Sequence, residues 1–184
     1  MAPPKKYLLD ACVLFPTVLR EILLGAAAEG LYLPVWSPRI LEEWARATRK
    51  LGPGAEEQAR AEIVSLRLNF PRAEVAEAPG IAQRLHLPDE NDLHVLAVAI
   101  ASGADGIVTV NAQDFPKHVL AAEGLERRDP DGLLWELASH RPETMARVVE
   151  AVRAKAERLS GEPQALRPLL KRARLGRLGR FLEA

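Results

Sequence analysis

Between Leu93 and Ala101 a single polar residue, His94, interrupts the apolar run LHVLAVAIA. A helix that is apolar nearly all round belongs inside a protein, commonly against a sheet. Gly103 follows where a left-handed residue ends a helix, and Ile107–Val110 is a short β-branched run of the kind found in strands buried on both faces. The stretch Pro88–Pro116 thus reads as an acidic helix start, a buried helix, a glycine turn, a buried strand and a polar loop. It predicts Asp92 in the first turn of a helix and Asn111 at the carboxyl end of a strand. A short apolar strand, Lys6–Leu9 (KYLL), is followed immediately by Asp10.

The same patterns organise the rest of the chain. Leu19, Ile22, Leu23 and Ala26 recur at helical spacing after Pro16. Leu31–Val35 predicts a strand, with Pro34 arguing for an edge position. Ser37-Pro38 has the form of an N-cap and first-turn proline, opening a helix that carries Glu43. Gly52-Pro53-Gly54 breaks it, and Ala55–Leu68 predicts another, with Ile63 and Leu66 inward and Ala59 more weakly so. Glu74–Val75 and Leu125–Arg127 predict short strands. Asp129-Pro130-Asp131 signals a helix start, and helical character runs from Gly132 to the end, broken at Arg141-Pro142, Gly161–Pro163, Gly176 and Gly179. Strands alternating with helices predict an α/β core with a parallel sheet, followed by a helical tail. The expected division is a core domain over residues 1–140 and a basic helical extension over 141–184.

Composition narrows the class. The chain has 184 residues, nearly half of them hydrophobic, and one cysteine, Cys12, so an internal disulfide framework is excluded. No apolar run approaches the ~18 residues of a membrane span, and the N-terminus lacks the form of a signal peptide; a soluble cytoplasmic protein is expected. The formal net charge of zero conceals an asymmetry. Residues 1–144 hold 15 basic and 21 acidic side chains, whereas residues 145–184 hold 10 basic and 4 acidic. Arg167, Lys171, Arg172, Arg174, Arg177 and Arg180 succeed one another without an intervening acid, which suggests a polyanionic partner or self-association.

In an open parallel sheet, ligands bind outside the carboxyl ends of the strands. Asp10 and Asn111 both stand at such ends, and Asp92 can lean in from a neighbouring helix. Three crowded carboxylates, Asp10, Glu43 and Asp92, would raise one another's pKa, and a hard divalent cation removes that conflict. Mg²⁺ or Mn²⁺ accepts oxygen ligands and suits phosphodiester hydrolysis. Each residue also has a plainer role: Asp10 as a turn residue, Asp89 and Asp92 as helix caps, Glu43 as solvated surface, Asn111 as a turn, Asp114 as loop, and His94 as a packing residue.

LLDACVLFP, WSPRILEEW and DLHVLAVAIASGADGIVTVNAQDFP, in that order, resemble the PIN-domain ribonucleases, and among them the VapC-type toxins of bacteria. In that family an aspartate ends the first strand in a D-x-[NC]-V-L setting, matched by Asp10. A glutamate comes after S-x-x-I-L, matched by Glu43, and an aspartate precedes V-L-A-x-A, matched by Asp92. The motif V-T-x-[DN] with a subsequent Asp-Phe is matched by Val108-Thr109-Val110-Asn111 and Asp114-Phe115. The resemblance covers about Lys6 to Arg128. It implies an α/β/α sandwich with a central parallel sheet and a Mg²⁺- or Mn²⁺-dependent site cleaving single-stranded RNA. Asp10, Glu43 and Asp92 would be the metal ligands, supported by Thr109, Asn111 and Asp114, and an antitoxin would cover the site. A homodimer is expected, and the six basic residues of the tail are expected to grip RNA.

One departure opens a competing reading. Many family members carry aspartate where this chain has Asn111, which offers a carbonyl oxygen but no charge. A module with a decayed site, binding RNA or protein through the basic tail, is the alternative. A phosphoacceptor role for Asp10 is weaker, because Asp10-Ala11-Cys12 lacks the second acid of a D-x-D motif.

Overall fold

The strand β1 (Lys6–Leu9) is central in a four-stranded parallel sheet of order β2-β1-β3-β4, in a computed structural model that describes residues 3–183. It pairs with β2 (Leu33–Val35) on one side and β3 (Gly106–Val108) on the other, and β4 (Glu126–Arg128) pairs with β3. Pro34 sits on the edge strand β2, where its missing N–H breaks no inner ladder. Gly106 is required by close approach, since a Cβ there would stand 2.5 Å from the Glu126 carbonyl oxygen. Tyr7, Leu8 and Leu9 of β1 and Ile107 and Val108 of β3 are buried, as strands covered on both faces must be.

Two compact units divide the chain: residues up to Phe15 with Tyr32–Arg128, and Pro16–Leu31 with residues from Asp129 onward. The first holds the sheet and the helices α1 (Ala11–Leu14), α3 (Pro38–Ala47), α4 (Ala55–Asn69), α5 (Pro79–Ala82), α6 (Leu93–Ala101) and α7 (Lys117–Ala122). The parallel sheet with flanking helices is the expected α/β/α arrangement, with the helical extension after it. Ser37 caps α3 by accepting from Ile40 N, and the apolar α6 lies against β1 and β3 with Val95–Ala99 buried. Chain order runs from β1 outward to β2, then back across to β3 and β4. Strand order therefore reverses between β1 and β3, which places a crevice outside their carboxyl ends.

The second unit contains α2 (Thr17–Ala28), α8 (Pro130–His140), α9 (Pro142–Ser160), α10 (Leu166–Arg172) and α11 (Gly176–Leu182). Leu19, Ile22, Leu23 and Ala26 are buried, as their spacing predicts. α2 lies close against α9: a Cβ on Gly25 would stand 2.7 Å from Val148 Cγ1. The boundary expected at 140/141 falls between α8 and α9, both in this unit, which also takes in α2. Apolar spacing shows that α2 is buried on one face, and says nothing about what buries it.

Three strand expectations are longer than the strands formed. β2 begins at Leu33 rather than Leu31, Glu74 makes only an isolated bridge with Trp36, and β3 stops at Val108. Thr109 N still donates to Arg128 O, but the Thr109 hydroxyl then captures the N–H of Asn111 at 3.0 Å and turns the chain. The one-turn helix α1 has no signal in the apolar pattern; the Asp10 carboxylate starts it by accepting from Ala11 N. Among the described residues no helix is long and apolar enough to cross a membrane.

Asp131 fastens α8 to α11. Its two carboxylate oxygens accept from Arg177 N and Leu178 N, both at 2.9 Å, while the Arg177 guanidinium lies 3.6 Å from the centre of the Trp135 ring. Asp131→Ala leaves those amides without their partner and is expected to destabilise the chain by about 2 kcal/mol, the scale of hydrogen bonds to a charged acceptor. Urea unfolding followed by tryptophan fluorescence measures it.

Candidate functional site

Asp10 is buried at the carboxyl end of β1, and its own N–H is fixed by Val108 O of β3 at 3.1 Å. One carboxylate oxygen accepts from Ala11 N at 2.8 Å. The other accepts from Thr109 Oγ1 at 2.8 Å and faces Cys12 Sγ at 3.2 Å. Burial pushes the Asp10 pKa up, and the charge of Glu43 adds to it, against hydrogen bonds from Thr109, Cys12 and Ala11 that favour the ionised form. The Cys12 thiol, 3.3 Å from Thr109 Oγ1, is pushed up to about 12 by burial and by the Asp10 charge. It stays a neutral thiol, packing behind the carboxylate.

Asp92 ends a 3₁₀ turn (Glu90–Asp92) and stands at the N-cap of α6, one step outside the first helical turn in which the sequence pattern puts it. Its pKa is raised from 3.8 to about 6, first by burial and then by Asp10, Asp89, Asp114 and Glu43. Four carboxylates acting on a fifth define the electrostatic character of the crevice. One oxygen from each of Asp89, Asp92 and Asp114 lies within 4.8 Å of the other two, and all three residues are half-buried. Asp89 does cap, accepting from Asn91 N at 2.9 Å, yet it also joins this cluster. Capping alone does not account for Asp-x-x-Asp.

Glu43 arrives from α3. His94 Nε2 on α6 lies 2.7 Å from Glu43 Oε1, and Arg39 Nε lies 3.4 Å from the same oxygen. His94 is buried, as a packing residue would be, but neither ring nitrogen makes an aligned hydrogen bond. That places an imidazole directly against one of the acids, which the sequence does not suggest.

Asn111 lies three residues beyond β3, and its Nδ2 donates to Asp114 Oδ2 at 2.6 Å. Arg127 Nη1 donates to the carbonyls of Ala112 and Phe115 at 2.8 and 2.9 Å and pins the loop that carries Asp114. The uncharged Asn111 thus orients an acid in the position where a second aspartate would repel it.

The basic residues of the tail are in the second unit and differ among themselves. Arg172 donates to Gln164 Oε1 at 2.8 Å, and Arg177 stacks on Trp135. Arg174 occupies a left-handed backbone position, φ 59°, between α10 and α11. Arg167, Lys171 and Arg180 line a common concavity. Part of the tail's positive charge is already matched: Arg153 pairs with Glu150 and Glu157.

The donor set around Asp92 is all oxygen, which fits a hard divalent cation better than zinc or copper. A model of the PIN-domain family matches residues 6–113, more than half of the chain. No curated protein and no solved structure matches significantly.

Proposed function

The chain belongs to the PIN-domain family, whose members are generally metal-dependent nucleases, and from that premise we propose that it is a Mg²⁺- or Mn²⁺-dependent endoribonuclease. The observation that carries this reading is the convergence of acids on Asp92 at the crevice between β1 and β3. Asp10, Glu43 and Asp92 would hold the metal, with Asp114 and Asp89 beside them. When bound, such an ion activates water and neutralises charge developing on a phosphodiester. The protein's own groups do the rest. Thr109 holds Asp10 and His94 abuts Glu43, while Asn111 and Arg127 set Asp114 in place.

The substrate is RNA, held through phosphate contacts by Arg167, Lys171, Arg172, Arg174, Arg177 and Arg180. The chain acts in the cytoplasm as the toxin of a toxin–antitoxin pair and as a homodimer. The bond from Asn111 to Asp114 favours an intact site over a decayed binding module, since the residue that departs from the family pattern is engaged in positioning an acid.

Purified protein is expected to cleave a mixed pool of structured and single-stranded RNA with Mn²⁺ or Mg²⁺ and to leave it whole in EDTA. RNA retained without metal-dependent cleavage would promote the binding module instead. Thr109→Val keeps the side-chain shape, removes the donor to Asp10 and strips the acceptor from Asn111 N. Metal affinity is expected to fall by roughly 10–100-fold, the scale of lost outer-shell partners. Calorimetric titration with Mn²⁺ measures it, and an unchanged affinity would remove Asp10 from the ligand set.

A further inference from the structure

The helix α3 carries two arginines, each four residues from a glutamate, and their settings differ. Arg46 follows Glu42, the favourable order along a helix, and its Nε donates to Glu42 Oε1 at 2.7 Å. Arg39 precedes Glu43, the weaker order, and its Nε stands 3.4 Å from Glu43 Oε1, beyond the range of a charge-assisted hydrogen bond. Arg39 also lies in the first turn of α3, directly after Pro38, where the helix dipole favours an acid and none is present. The Glu43 oxygen that it approaches already has Nε2 of the buried His94 at 2.7 Å. Arg39 is thus ill placed for helix stability and little needed to hold Glu43. It is exposed, and among the described residues Glu43 is its one ionic neighbour, with no hydrogen bond engaging the guanidinium. Glu43 in turn belongs to the crevice, since its charge reaches both Asp10 and Asp92. A cation that breaks local helix rules beside a group of acids marks a functional position.

We propose that Arg39 is a substrate-binding residue of this site, its guanidinium receiving a non-bridging oxygen of the RNA phosphodiester that enters the crevice. A phosphodiester approaching Asp10, Glu43 and Asp92 meets like charge, and Arg39 supplies the opposite sign on the Glu43 side. The planar fork of a guanidinium matches phosphate oxygens, which a single ammonium does not. Turning toward a phosphate costs Arg39 little, because an exposed ion pair at 3.4 Å holds little. No motif assigns this residue: it occupies an unspecified position of S-x-x-I-L, formed here by Ser37-Pro38-Arg39-Ile40-Leu41. The proposal rests on the RNA reading above and adds to it the side chain that meets the strand at the acids themselves.

The test compares the full chain with Arg39→Gln and Arg39→Lys on a single-stranded RNA. In EDTA, where nothing is cut, fluorescence anisotropy is expected to show Arg39→Gln binding the RNA about tenfold more weakly, the worth of one hydrogen-bonded charged contact. With Mn²⁺, kcat/KM for cleavage is expected to fall by about 10–100-fold on the same scale. Arg39→Lys should recover part of both losses, since it keeps the charge without the fork. Two further readouts separate a substrate contact from a strut for Glu43. Calorimetric titration of Arg39→Gln with Mn²⁺ should give the wild-type affinity, and thermal unfolding in EDTA should show equal or greater stability once the first turn loses its misplaced cation. RNA binding by Arg39→Gln at wild-type strength overturns the proposal whatever happens to cleavage. So does a fall in Mn²⁺ affinity that matches the loss of cleavage, which would make Arg39 a support for Glu43 alone. A wild-type chain that leaves the RNA whole in Mn²⁺ would sink the cleavage reading by itself, and binding in EDTA would still decide this one.

Discussion

Asp10→Asn is expected to reduce metal-dependent RNA cleavage by roughly 10²–10³-fold or more, the scale of losing one preorganised electrostatic group, and to make the metal-free chain more stable. Both effects have one cause. Asp10 is buried and its pKa is raised, so its negative charge is held at a cost that only a cation in the crevice would offset. The amide keeps the shape and an oxygen for Ala11 N, and its nitrogen can donate to the Thr109 hydroxyl oxygen, which then accepts from the new amide as well as from Asn111 N. The buried network survives while the charge goes. Gel assays of RNA cleavage and thermal unfolding in EDTA read the two halves independently. Cleavage at the wild-type rate would remove Asp10 from the chemistry. A large loss of stability in EDTA would make it a structural residue whose ionised form the fold requires.

The position of Asp10 was legible because backbone pattern decides it, whereas the same pattern misses Asp92 by one step and Asn111 by three residues, since the strand before Asn111 stops at Val108. The apolar run Tyr7–Leu9 must end somewhere, and the residue after KYLL in a parallel sheet faces the ligand end. Pro34 on the edge strand was legible for a similar reason, its missing N–H being a property of the residue itself. Contacts between distant side chains were not. His94 looks like one polar interruption in an apolar helix, and only the approach of α3 brings Glu43 to its ring. Asp89 satisfies the local capping rule, so nothing in the sequence asks for its second role beside Asp92 and Asp114. Asn111 looks like a lost charge until the loop folds back and sets its amide on Asp114. In the tail, the count of basic residues was plain, but the pairing of Arg172, Arg177 and Arg153 with groups in their own unit depends on helix packing. The assignment of α2 to the tail's unit likewise depends on the close contact at Gly25.

Stability of the metal-free chain is expected to fall as pH rises from about 4 through about 6, and added Mn²⁺ is expected to restore it most strongly above that window. The sign comes from Asp92, whose pKa moves up from 3.8 to about 6 on folding, with Asp10 moving in the same direction. Between the unfolded and folded values the native chain binds more protons than the unfolded one, so each rise in pH favours unfolding. Glu42 and Glu56 carry the opposite sign: hydrogen bonds from Arg60 and Arg46, and from Arg49 and Arg60, hold them at about 2. Their contribution is lost only as pH falls below the ordinary glutamate range, so they do not confuse the upper window. Mn²⁺ must displace the proton on Asp92, so its affinity should drop about tenfold between roughly pH 7.5 and pH 5 from this group alone. At a hundredfold excess over its dissociation constant the ion adds about 2.7 kcal/mol, which for a chain of this size is a rise in Tm of roughly 5–10 °C. Differential scanning fluorimetry with Mn²⁺ or EDTA at the two pH values reads it directly. Asp92→Asn should flatten the fall of metal-free stability and remove most of the Mn²⁺ shift. A shift equal at both pH values, or unchanged in that variant, would mean that Mn²⁺ binds away from Asp92 and that the crevice is crowded with acids for another reason.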